Sequence, residues 1–417
     1  MKKIFLLILL NFISYAQLET VWVKRYFSPF DLPDFAIDNF NNIILTTYPY
    51  IRKLNPDGEI LWQDSVYLGN AGSTLLCVAT DTENNIIVGG TWNQYPSPGY
   101  DSLWVIFKFN PFGQVLWQET ISFSERNYYK STDIAVDKEN NIIIVGGTGG
   151  TGPHGFWLIF KYSENGELMW ERRYTSDWGP DAAMGVCCDN FNNVIVTGYR
   201  GVYPRPRQWF PQVIKYSKDG DSLWSHAYVP EEPQNRKAGR PAVDRFDNII
   251  MVGGDGVFKY APDGSKLWNW HTSSVPKPAA SRFSSAVTDS NGNIFVIGDT
   301  ARFEWGIVEI WKLTPQGETI YRFQFPFPIR FETPYFLLLD KEGNLITAIK
   351  NPQENYVYLF KLRERVNEIK EKGIKKPLFL KRRIYDIKGN LIKEKRLKKG
   401  IYFLNDGKKI NKILILK

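Results

Sequence analysis

One short motif recurs seven times along this 417-residue chain, and it constrains the possible folds more than any other feature. The motif is an Asp, two variable residues, Asn or Gly or Asp, and then Asn, followed by a β-branched run and often by glycine. Self-similarity at periods of about 20–50 residues is typical of repeat architectures, in which each copy is one supersecondary unit. The copies lie 43 to 56 residues apart and begin at Asp38, Asp81, Asp137, Asp189, Asp244, Asp289 and Asp340.

A second motif follows each copy of the first. An apolar run ends in Lys, a Gly stands five residues later, and a Trp or Tyr stands nine residues later. Complete copies begin at Lys53, Lys108, Lys161, Lys215, Lys259 and Lys312. Lys361 opens a seventh copy that has no Gly or Trp, but the segment 21–26 around Trp22 matches 169–174 around Trp170. Every element therefore occurs seven times once the N-terminal segment is counted with the C-terminal copy.

Each unit is predicted to contain four strands, named a to d. Strand a precedes the Asp, strand b follows the Asn, strand c ends at the Lys and strand d carries the Trp. The a–b and c–d junctions contain Asn and Gly, which tolerate positive φ, and we expect tight turns there. We predict an all-β chain whose main body is a seven-bladed β-propeller closed by the N-terminal strand, because closure removes open sheet edges.

The repeats resemble the bacterial SBBP-type seven-bladed propeller repeats and the related NHL-type repeats. The resemblance covers residues 19–362 and rests on the sevenfold recurrence of the motifs. It implies a scaffold with diverse ligands and does not imply one activity.

The first 16 residues have the pattern of a secretory signal peptide. Lys2 and Lys3 precede an apolar core at 4–10, and Ser14 and Ala16 are the small residues of a cleavage site, so the mature chain is predicted to begin at Gln17. The apolar run is far shorter than the roughly 20 residues of a spanning helix, and no later segment is longer. We expect a secreted or surface-attached protein without a membrane span.

The C-terminal residues 381–417 do not contain the repeat motifs. We predict a propeller at 17–362, a basic linker at 363–380 and a separate β domain at 381–417. Tyr385-Asp386, followed by Gly400-Ile401-Tyr402 and the lysines near the end, resembles the sorting domain of the type IX secretion system. That resemblance implies a small β-sandwich-like domain, contact with the secretion machinery and an outer cell-surface location. An ordinary basic β appendage is the alternative.

The net charge of +8 is unevenly distributed. Residues 361–417 contain 20 Lys and Arg against 6 Asp and Glu, a net charge of +14, which leaves the mature propeller at −8. Phosphate binding requires a basic surface on the folded domain itself, so the composition argues against a nucleic-acid partner.

No motif in the chain predicts catalysis or a cofactor. The histidines His154, His226 and His271 lie in different repeats without ligand-like spacing, and we expect them in exposed loops. The three cysteines are predicted to be buried apolar residues, the Asp-x-x-Asn turns lack the ligand spacing of calcium loops, and the ring of lysines is predicted to be structural. The Gly-x-x-x-Trp element also resembles the docking repeat of quinoprotein dehydrogenases. Those enzymes gather calcium ligands around their cofactor, and no such carboxylate cluster is evident in the sequence. Carboxylates that converge in the central channel would favour an enzyme.

The predicted b–c loops of blades two, three and four are long, with 23, 20 and 22 residues between the motif Asn and the motif Lys against 11 in blades one and five. Loops on a rigid scaffold often carry function, and Trp, Tyr and Arg dominate protein interfaces. We therefore predict a binding face from Trp92, Tyr95, Tyr100, Trp157, Tyr199, Arg200, Tyr203, Arg205, Arg207 and Trp209. His154 and Phe156 accompany them, and the alternative is that these aromatics cover their own loops.

The sequence thus favours a secreted or cell-surface, non-catalytic propeller that binds a protein or a glycan through its long loops. A purely structural surface or matrix component is the second hypothesis. A secreted hydrolase or a quinoprotein is the third, because propellers host enzymes but function has to be argued from a site.

Overall fold

The computed structural model describes residues 18–28, 33–66, 74–93, 102–123, 129–148, 155–176, 181–202, 208–229, 238–272, 281–302, 305–330, 336–351, 355–365, 383–386, 391–392, 400–405 and 410–415. Within these ranges the chain forms 32 β-strands and no α-helix. It divides into two compact units, Met1–Arg365 and Val366–Lys417. The all-β expectation is confirmed for the part of the chain that the structure describes.

The first unit begins with β1 (Leu18–Phe27) and continues with groups of four consecutive antiparallel strands, which we number as sheets. One residue pair, Gly147↔Ala182, joins the third and fourth groups into a single eight-stranded sheet. Sheet 1 contains β2 (Asp34–Ile37), β3 (Ile43–Thr47), β4 (Tyr50–Leu54) and β5 (Ile60–Ser65). Sheet 2 contains β6 (Thr74–Thr80), β7 (Ile86–Asn93), β8 (Ser102–Phe109) and β9 (Val115–Ile121). Sheet 3 contains β10 (Tyr129–Val136), β11 (Ile142–Thr148), β12 (Trp157–Tyr162) and β13 (Leu168–Tyr174). Sheet 4 contains β14 (Ala182–Cys188), β15 (Val194–Val202), β16 (Gln208–Tyr216) and β17 (Ser222–Ala227).

The next sheets repeat the pattern. Sheet 5 contains β18 (Ala242–Val243), β19 (Ile249–Gly253), β20 (Gly256–Tyr260) and β21 (Lys266–His271). Sheet 6 contains β22 (Ser281–Thr288), β23 (Ile294–Arg302), β24 (Trp305–Leu313) and β25 (Thr319–Arg330). Sheet 7 contains β26 (Leu337–Leu339), β27 (Leu345–Asn351) and β28 (Tyr356–Glu364), and β1 is its fourth strand. β1 pairs with β28 antiparallel from Leu18↔Glu364 to Phe27↔Tyr356.

The Asp of the first motif folds the a–b turn. In sheet 1, Asp38 Oδ1 accepts hydrogen bonds from the backbone N–H groups of Phe40 and Asn42, both at 2.9 Å. Asn41 then adopts a φ of 61°, a conformation that Asn tolerates better than most residues. The same positive φ occurs at Asn84, Asn140, Asn192, Asp247, Gly292 and Gly343. The a–b and c–d turns of a sheet lie at the same end of its strands; we call this end the short-turn face and the opposite end the loop face.

The Lys of the second motif is buried and ties neighbouring sheets together. Lys53 Nζ lies 2.9 Å from Asp38 Oδ2 in its own sheet and donates to the carbonyl oxygen of Pro111, in the c–d turn of sheet 2, at 3.3 Å. The same two contacts are made by Lys108, Lys161, Lys215, Lys259 and Lys361. A buried ammonium group is tolerated only when it is paired and hydrogen-bonded, so these lysines are structural, as the sequence predicted.

The motif Trp uses the same acceptor. Trp62 Nε1 donates to the carbonyl oxygen of Pro111 at 3.1 Å, and the indole lies over Gly113, whose φ is +87°. Equivalent indole bonds to the turn of the following sheet are made by Trp22, Trp117, Trp170, Trp224 and Trp268. Gly is needed at the turn because it combines a positive φ with space for the indole.

The hydrophobic core lies between adjacent sheets. One cluster joins Ile44 of sheet 1 to Val88 of sheet 2, and similar clusters occupy each further boundary between consecutive sheets. A seventh cluster joins Ile43 and Leu45 of sheet 1 to Leu359 of sheet 7. Burial between sheets explains why strands b and c are apolar on both faces rather than alternating.

The second unit contains β29 (Arg383–Asp386), β30 (Leu391–Ile392), β31 (Gly400–Asn405) and β32 (Ile410–Ile415), in the order β30-β29-β31-β32. The predicted linker at 363–380 lies outside the described residues from 366 onward, and so do residues 1–17 of the predicted signal peptide and cleavage site. In the described ranges, no helix has the length and apolar character needed to cross a membrane.

We expect Gly264→Ala to lower the free energy of unfolding by about 2–4 kcal/mol, because an added Cβ would lie 2.8 Å from the Trp224 indole at a φ of +90°. Gly343→Ala is the matched control: its φ is +78° but nothing lies within 4 Å of the added Cβ, so only the backbone strain of about 1 kcal/mol is expected. Urea unfolding of both variants measures the difference. Equal losses would show that the glycine–indole packing adds no stability.

Candidate functional site

Four residues before the motif Asp, each repeat has a residue that lies in its innermost strand or, for Arg240 and Phe336, just before it. In sheets 2, 3, 4 and 6 the register of the a–b pairing shifts just before this position. A β-bulge redirects the side chain that follows it, which is why bulges often flank functional sites. The residues at this position are Asp34, Cys77, Asp133, Gly185, Arg240, Ser285 and Phe336.

Arg240 is the centre of this set. Its Nε donates to Asp133 Oδ2 at 3.0 Å and its Nη2 donates to Asp133 Oδ1. On the other side, Nη1 donates to Asp34 Oδ1 at 3.2 Å and Nη2 to Asp34 Oδ2 at 3.1 Å. The guanidinium carbon lies 4.0 Å from the centre of the Phe336 ring. One side chain thus links sheets 1, 3, 5 and 7, and paired bonds of this kind are the strong form of the arginine–carboxylate contact.

Backbone N–H groups complete the cluster and bring in the remaining sheets. Asp34 Oδ2 accepts from Val78 N of sheet 2 at 2.9 Å, and Asp133 Oδ2 accepts from Val186 N of sheet 4 at 2.9 Å. Arg240 N donates to the carbonyl oxygen of Ser284, in sheet 6, at 2.9 Å. Arg240, in sheet 5, therefore contacts sheets 1, 3, 6 and 7 directly, and it is linked to sheets 2 and 4 through the carboxylates of Asp34 and Asp133. We call Arg240, Asp34 and Asp133 the arginine clasp.

The electrostatics follow from one guanidinium facing two carboxylates. Burial raises the pKa of Asp133 to about 6; the positive charge of Arg240 opposes this rise and the negative charge of Asp34 adds to it. Burial alone would lower the pKa of Arg240, but Asp133 and Asp34 raise it above the ordinary arginine range. Arg240 therefore stays charged.

The clasp is a cross-link rather than an acid–base pair. Asp34 Oδ1 also accepts from Phe35 N at 2.8 Å and Asp133 Oδ1 from Ile134 N at 2.9 Å, so each of the four carboxylate oxygens binds one backbone N–H and the guanidinium. Neither carboxylate presents an unengaged oxygen to a substrate. Among the described residues, no group of three His, Cys, Asp or Glu side chains could hold a metal ion.

The sequence analysis missed this cluster, in which two carboxylates meet around one guanidinium. Aligning the seven copies at the fourth residue before the motif Asp would have revealed two aspartates and one arginine at one register position. The motif pattern drew attention to what the copies share, whereas Asp34, Asp133 and Arg240 are positions where the copies differ.

The predicted loop-face residues fall into three groups. Trp157 is fully buried, and its Nε1 donates to the carbonyl oxygen of Tyr199 at 3.0 Å, so its indole belongs to the core between sheets 3 and 4. It is not available to a ligand in this structure, because both its ring and its N–H are engaged. Trp92 is half-buried against the core between sheets 1 and 2. Outside the described residues lie Tyr95, Tyr100, Tyr203, Arg205 and Arg207.

Tyr199 and Trp209 are brought together on the hairpin of β15 and β16. Their ring centres are 5.5 Å apart, and both side chains are half-buried, as is Arg200. The two nine-residue strands pair along their whole length, up to Val202↔Gln208 at the loop face. The aromatic pair thus lies on a part of the hairpin that the five-residue strands β3 and β4 of sheet 1 lack.

A buried carboxylate anchors that hairpin. Asp181, with no exposed surface, accepts hydrogen bonds from Gly201 N at 2.7 Å and from Ser176 Oγ at 2.9 Å. Burial raises its pKa, although the hydrogen bonds and the charge of Arg200 oppose the rise. The end of β15 at Gly201 is therefore held by a polar network rather than by apolar packing alone.

The histidines are not simple loop residues. His226 stacks on Tyr260 with ring centres 4.8 Å apart and contacts the carbonyl oxygen of Gly264 through Nε2 at 2.7 Å. His271 lies at the end of β21, with Nδ1 3.5 Å from Asp255 Oδ1. The expectation of exposed loop positions is wrong for these two, because both rings pack at the boundaries between sheets. His154 lies outside the described residues.

The cysteines are free thiols, and Cys77 is fully buried while Cys187 and Cys188 are half-buried. Burial raises the pKa of all three thiols well above its usual range. Reactive cysteines require the opposite shift, so these residues are inert packing elements.

Comparison with known proteins defines a class. No protein-family profile matches the chain. An uncharacterised WD repeat-containing protein of Acanthamoeba polyphaga mimivirus is 26% identical over 200 residues, which are 44% of this chain and 11% of that protein; the chain thus spans about a tenth of its curated relative. A solved polysaccharide lyase, an ulvan lyase, has a TM-score of 0.50 at 12% identity and covers 79% of this chain and 91% of its own.

A gluconolactonase from Xanthomonas campestris has a TM-score of 0.41 at 10% identity, covering 83% of this chain and 89% of its own. These likenesses concern the fold alone. The chain is an all-β repeat protein with a propeller-like fold.

We expect Arg240→Met to lower the free energy of unfolding by about 3–5 kcal/mol at neutral pH, because it leaves two buried carboxylates without a counter-charge. Arg245→Met, at an exposed position on the neighbouring turn, is the control and is expected to change it by less than about 0.5 kcal/mol. Adding Asp34→Asn and Asp133→Asn to the first variant should recover part of the loss. Urea unfolding measures the free energy of unfolding of the three variants. An Arg240→Met protein as stable as the parent would show that the arginine clasp does not stabilise the fold.

The raised pKa of Asp133 predicts a specific pH dependence. Its folded pKa of about 6 lies above the ordinary Asp value of about 3.9, so between these values the folded state holds a proton that the unfolded state has released. This group therefore makes the protein more stable as the pH falls from 7 towards 4. The lowered pKa values of Asp38, Asp189, Asp244 and Asp340 act in the opposite direction, mainly below pH 4.

Urea midpoints of the parent and of Asp133→Asn between pH 7 and pH 4.5 test this dependence. The parent should gain more stability than the variant as the pH falls. Parallel profiles would contradict the assignment of the titration to Asp133.

Proposed function

We propose that sheets 1 to 7 are the blades of a closed seven-bladed propeller, and that the protein is an exported, non-catalytic scaffold that binds a protein or a glycan through its loop face. Three contacts support closure between the last and the first blade. β1 completes sheet 7, Lys341 N donates to Asn41 Oδ1 at 3.0 Å, and Lys361 Nζ donates to the carbonyl oxygen of Pro56 at 3.3 Å. The core cluster of sheets 7 and 1 adds to this support.

The single observation that carries the binding proposal is the hairpin of β15 and β16. It places the Tyr199–Trp209 pair and Arg200 at the loop face, on a strand pair that Asp181 fixes from below. Aromatic rings suit both common ligand classes, since they pack on sugars and on side chains, and Arg200, the next residue along β15, adds a group that binds polar partners. Because Asp181 holds the end of β15 in place, less conformational entropy is lost when a ligand binds.

The clasp supports the non-catalytic part of the proposal. Catalytic carboxylates have to reach the substrate, whereas every oxygen of Asp34 and Asp133 already binds a backbone N–H and Arg240. The alternative, a purely structural surface component, predicts no discrete ligand. An enzyme remains the third hypothesis and predicts turnover that depends on residues of the loop face.

The proposed route out of the cell uses both ends of the chain. The signal pattern at 1–16 would direct export, and the unit containing β29 to β32 would engage a type IX secretion system, as its sequence resemblance implies. Removal of residues 381–417 should retain the protein in the periplasm, and the N-terminus of the exported form should be Gln17. Surface exposure of the truncated protein would favour the alternative of a plain basic appendage.

We expect the full chain to bind a ligand from a glycan array or from native cell-surface protein, and Tyr199→Ala with Trp209→Ala to weaken that binding at least about tenfold. Leu223→Ala is the control, because Leu223 is 51% exposed on the outer strand β17 and belongs to neither proposed binding surface. Loss in the first variant alone supports the loop face as the binding site. Equal binding by both variants would move the site elsewhere, and an absence of binding by the parent would favour the structural hypothesis.

A further inference from the structure

The short-turn face carries four phenylalanine side chains that point into solvent. Their exposed fractions are 70% for Phe40, 81% for Phe112, 70% for Phe191 and 60% for Phe246. Three of them occupy the second position after the motif Asp, where the a–b turn does not require an apolar residue: the other sheets have Glu83, Glu139, Asn291 and Glu342 there. Exposed large aromatics grouped on one face are typical of interaction sites.

The bonds between sheets set these side chains in two pairs. Asn190 N donates to Asp247 Oδ1 at 2.8 Å, which joins the turn of Phe191 to the turn of Phe246. Lys53 binds both Asp38, two residues before Phe40, and the carbonyl oxygen of Pro111, the residue before Phe112. Each pair therefore sits on two turns that are fixed to one another, so little backbone freedom would be lost when a partner packs on it.

The charge around these pairs is strongly negative. Among the described residues of the a–b and c–d turns, eleven exposed carboxylates stand against four exposed cations, a net charge of −7. The carboxylates are Asp57, Glu59, Glu83, Glu139, Glu164, Glu167, Asp219, Asp221, Asp263, Glu318 and Glu342. The cations are Lys138, Lys218, Arg245 and Lys341. The lysines of the second motif do not add to this balance, because each is buried against a motif Asp.

We propose that the short-turn face is a docking surface for a basic polypeptide segment that also carries large apolar side chains. The phenylalanine pairs bind its apolar residues and the surrounding carboxylates bind its Lys and Arg. The same charge disfavours the other occupants: nucleic acid and anionic lipid are repelled, and two copies of this face would bring two acidic surfaces together. The surface lies at the opposite end of the strands from the hairpin of β15 and β16, so the two proposals are independent.

The test uses the full chain and three fluorescein-labelled peptides of equal length. The first has an amphipathic Lys/Leu pattern, the second has Glu in place of Lys, and the third has Ser in place of Leu. Fluorescence anisotropy should show binding of the first peptide and at least about tenfold weaker binding of the other two. Binding of the Lys/Leu peptide should weaken when the salt concentration rises from about 50 to about 300 mM, because salt screens exposed charges.

Variants locate the surface. Phe191→Ser with Phe246→Ser, and Phe40→Ser with Phe112→Ser, should each weaken binding of the Lys/Leu peptide at least about fivefold without changing the melting temperature, because these side chains are exposed. The matched control is Leu61→Ser with Leu223→Ser, which removes two aliphatic side chains that are 54% and 51% exposed on outer strands. The control should bind as the parent does.

Four outcomes would overturn the proposal. Unchanged affinity of both phenylalanine variants for the Lys/Leu peptide would show that the short-turn face is not the binding surface. Equal binding of the Glu-containing peptide would show that the negative charge of this face does not select the partner. A concentration-dependent dimer in light scattering that the phenylalanine variants abolish would assign the face to a second copy of the chain. Loss of peptide binding in the variant carrying Tyr199→Ala and Trp209→Ala would place the interaction on the loop face instead.

Discussion

The arginine clasp is the contact on which the arrangement of the sheets depends most. A single guanidinium reaches Asp34 in sheet 1 and Asp133 in sheet 3, and the carboxylates in turn hold backbone N–H groups of sheets 2 and 4. The innermost strands of three sheets are short, with four residues in β2, two in β18 and three in β26, so they supply few ladder hydrogen bonds of their own. A saturated ionic cluster compensates, because breaking it would strand buried charge.

The periphery is held by a different device, repeated from sheet to sheet. A buried Lys pairs with the Asp that folds its own a–b turn and donates to the c–d turn of the following sheet, where the motif Trp donates as well. The exception is informative. Lys312 faces the last sheet, which lacks the c–d turn, and there Glu364 replaces the carbonyl acceptor while Tyr321 stands in place of Trp. The physical requirement is an acceptor for a buried ammonium group, and either group satisfies it.

The two ends of the strands differ in what they offer a partner. At the loop face, sheet 4 extends beyond the common repeat and carries aromatic rings with an arginine, fixed by the buried Asp181. At the short-turn face, the backbone is nearly invariant, and the side chains vary at the two positions after the motif Asp and in the c–d turns. At the second position after the motif Asp, Glu139 and Glu342 accept hydrogen bonds from Asn192 and Asn41 of the neighbouring sheet. A phenylalanine side chain cannot accept such a bond, and its exposure there supports the proposed binding role.

Much of the fold could be predicted from the sequence because its determinants are local. Asp, Asn and Gly at set spacings specify turns, and the recurring Lys and aromatic residue predict the four-stranded repeat and the pairing of the N-terminal strand with the last repeat. The candidate sites could not be predicted in the same way. Arg240 and Asp34 are 206 residues apart, and only their equivalent position four residues before the motif Asp relates the two segments. Trp157 and Trp209 are both aromatic residues near predicted loops, yet one is buried and the other half-exposed. Convergence of innermost strands and depth of burial are properties of the assembled sheets, so only the tertiary structure decided them.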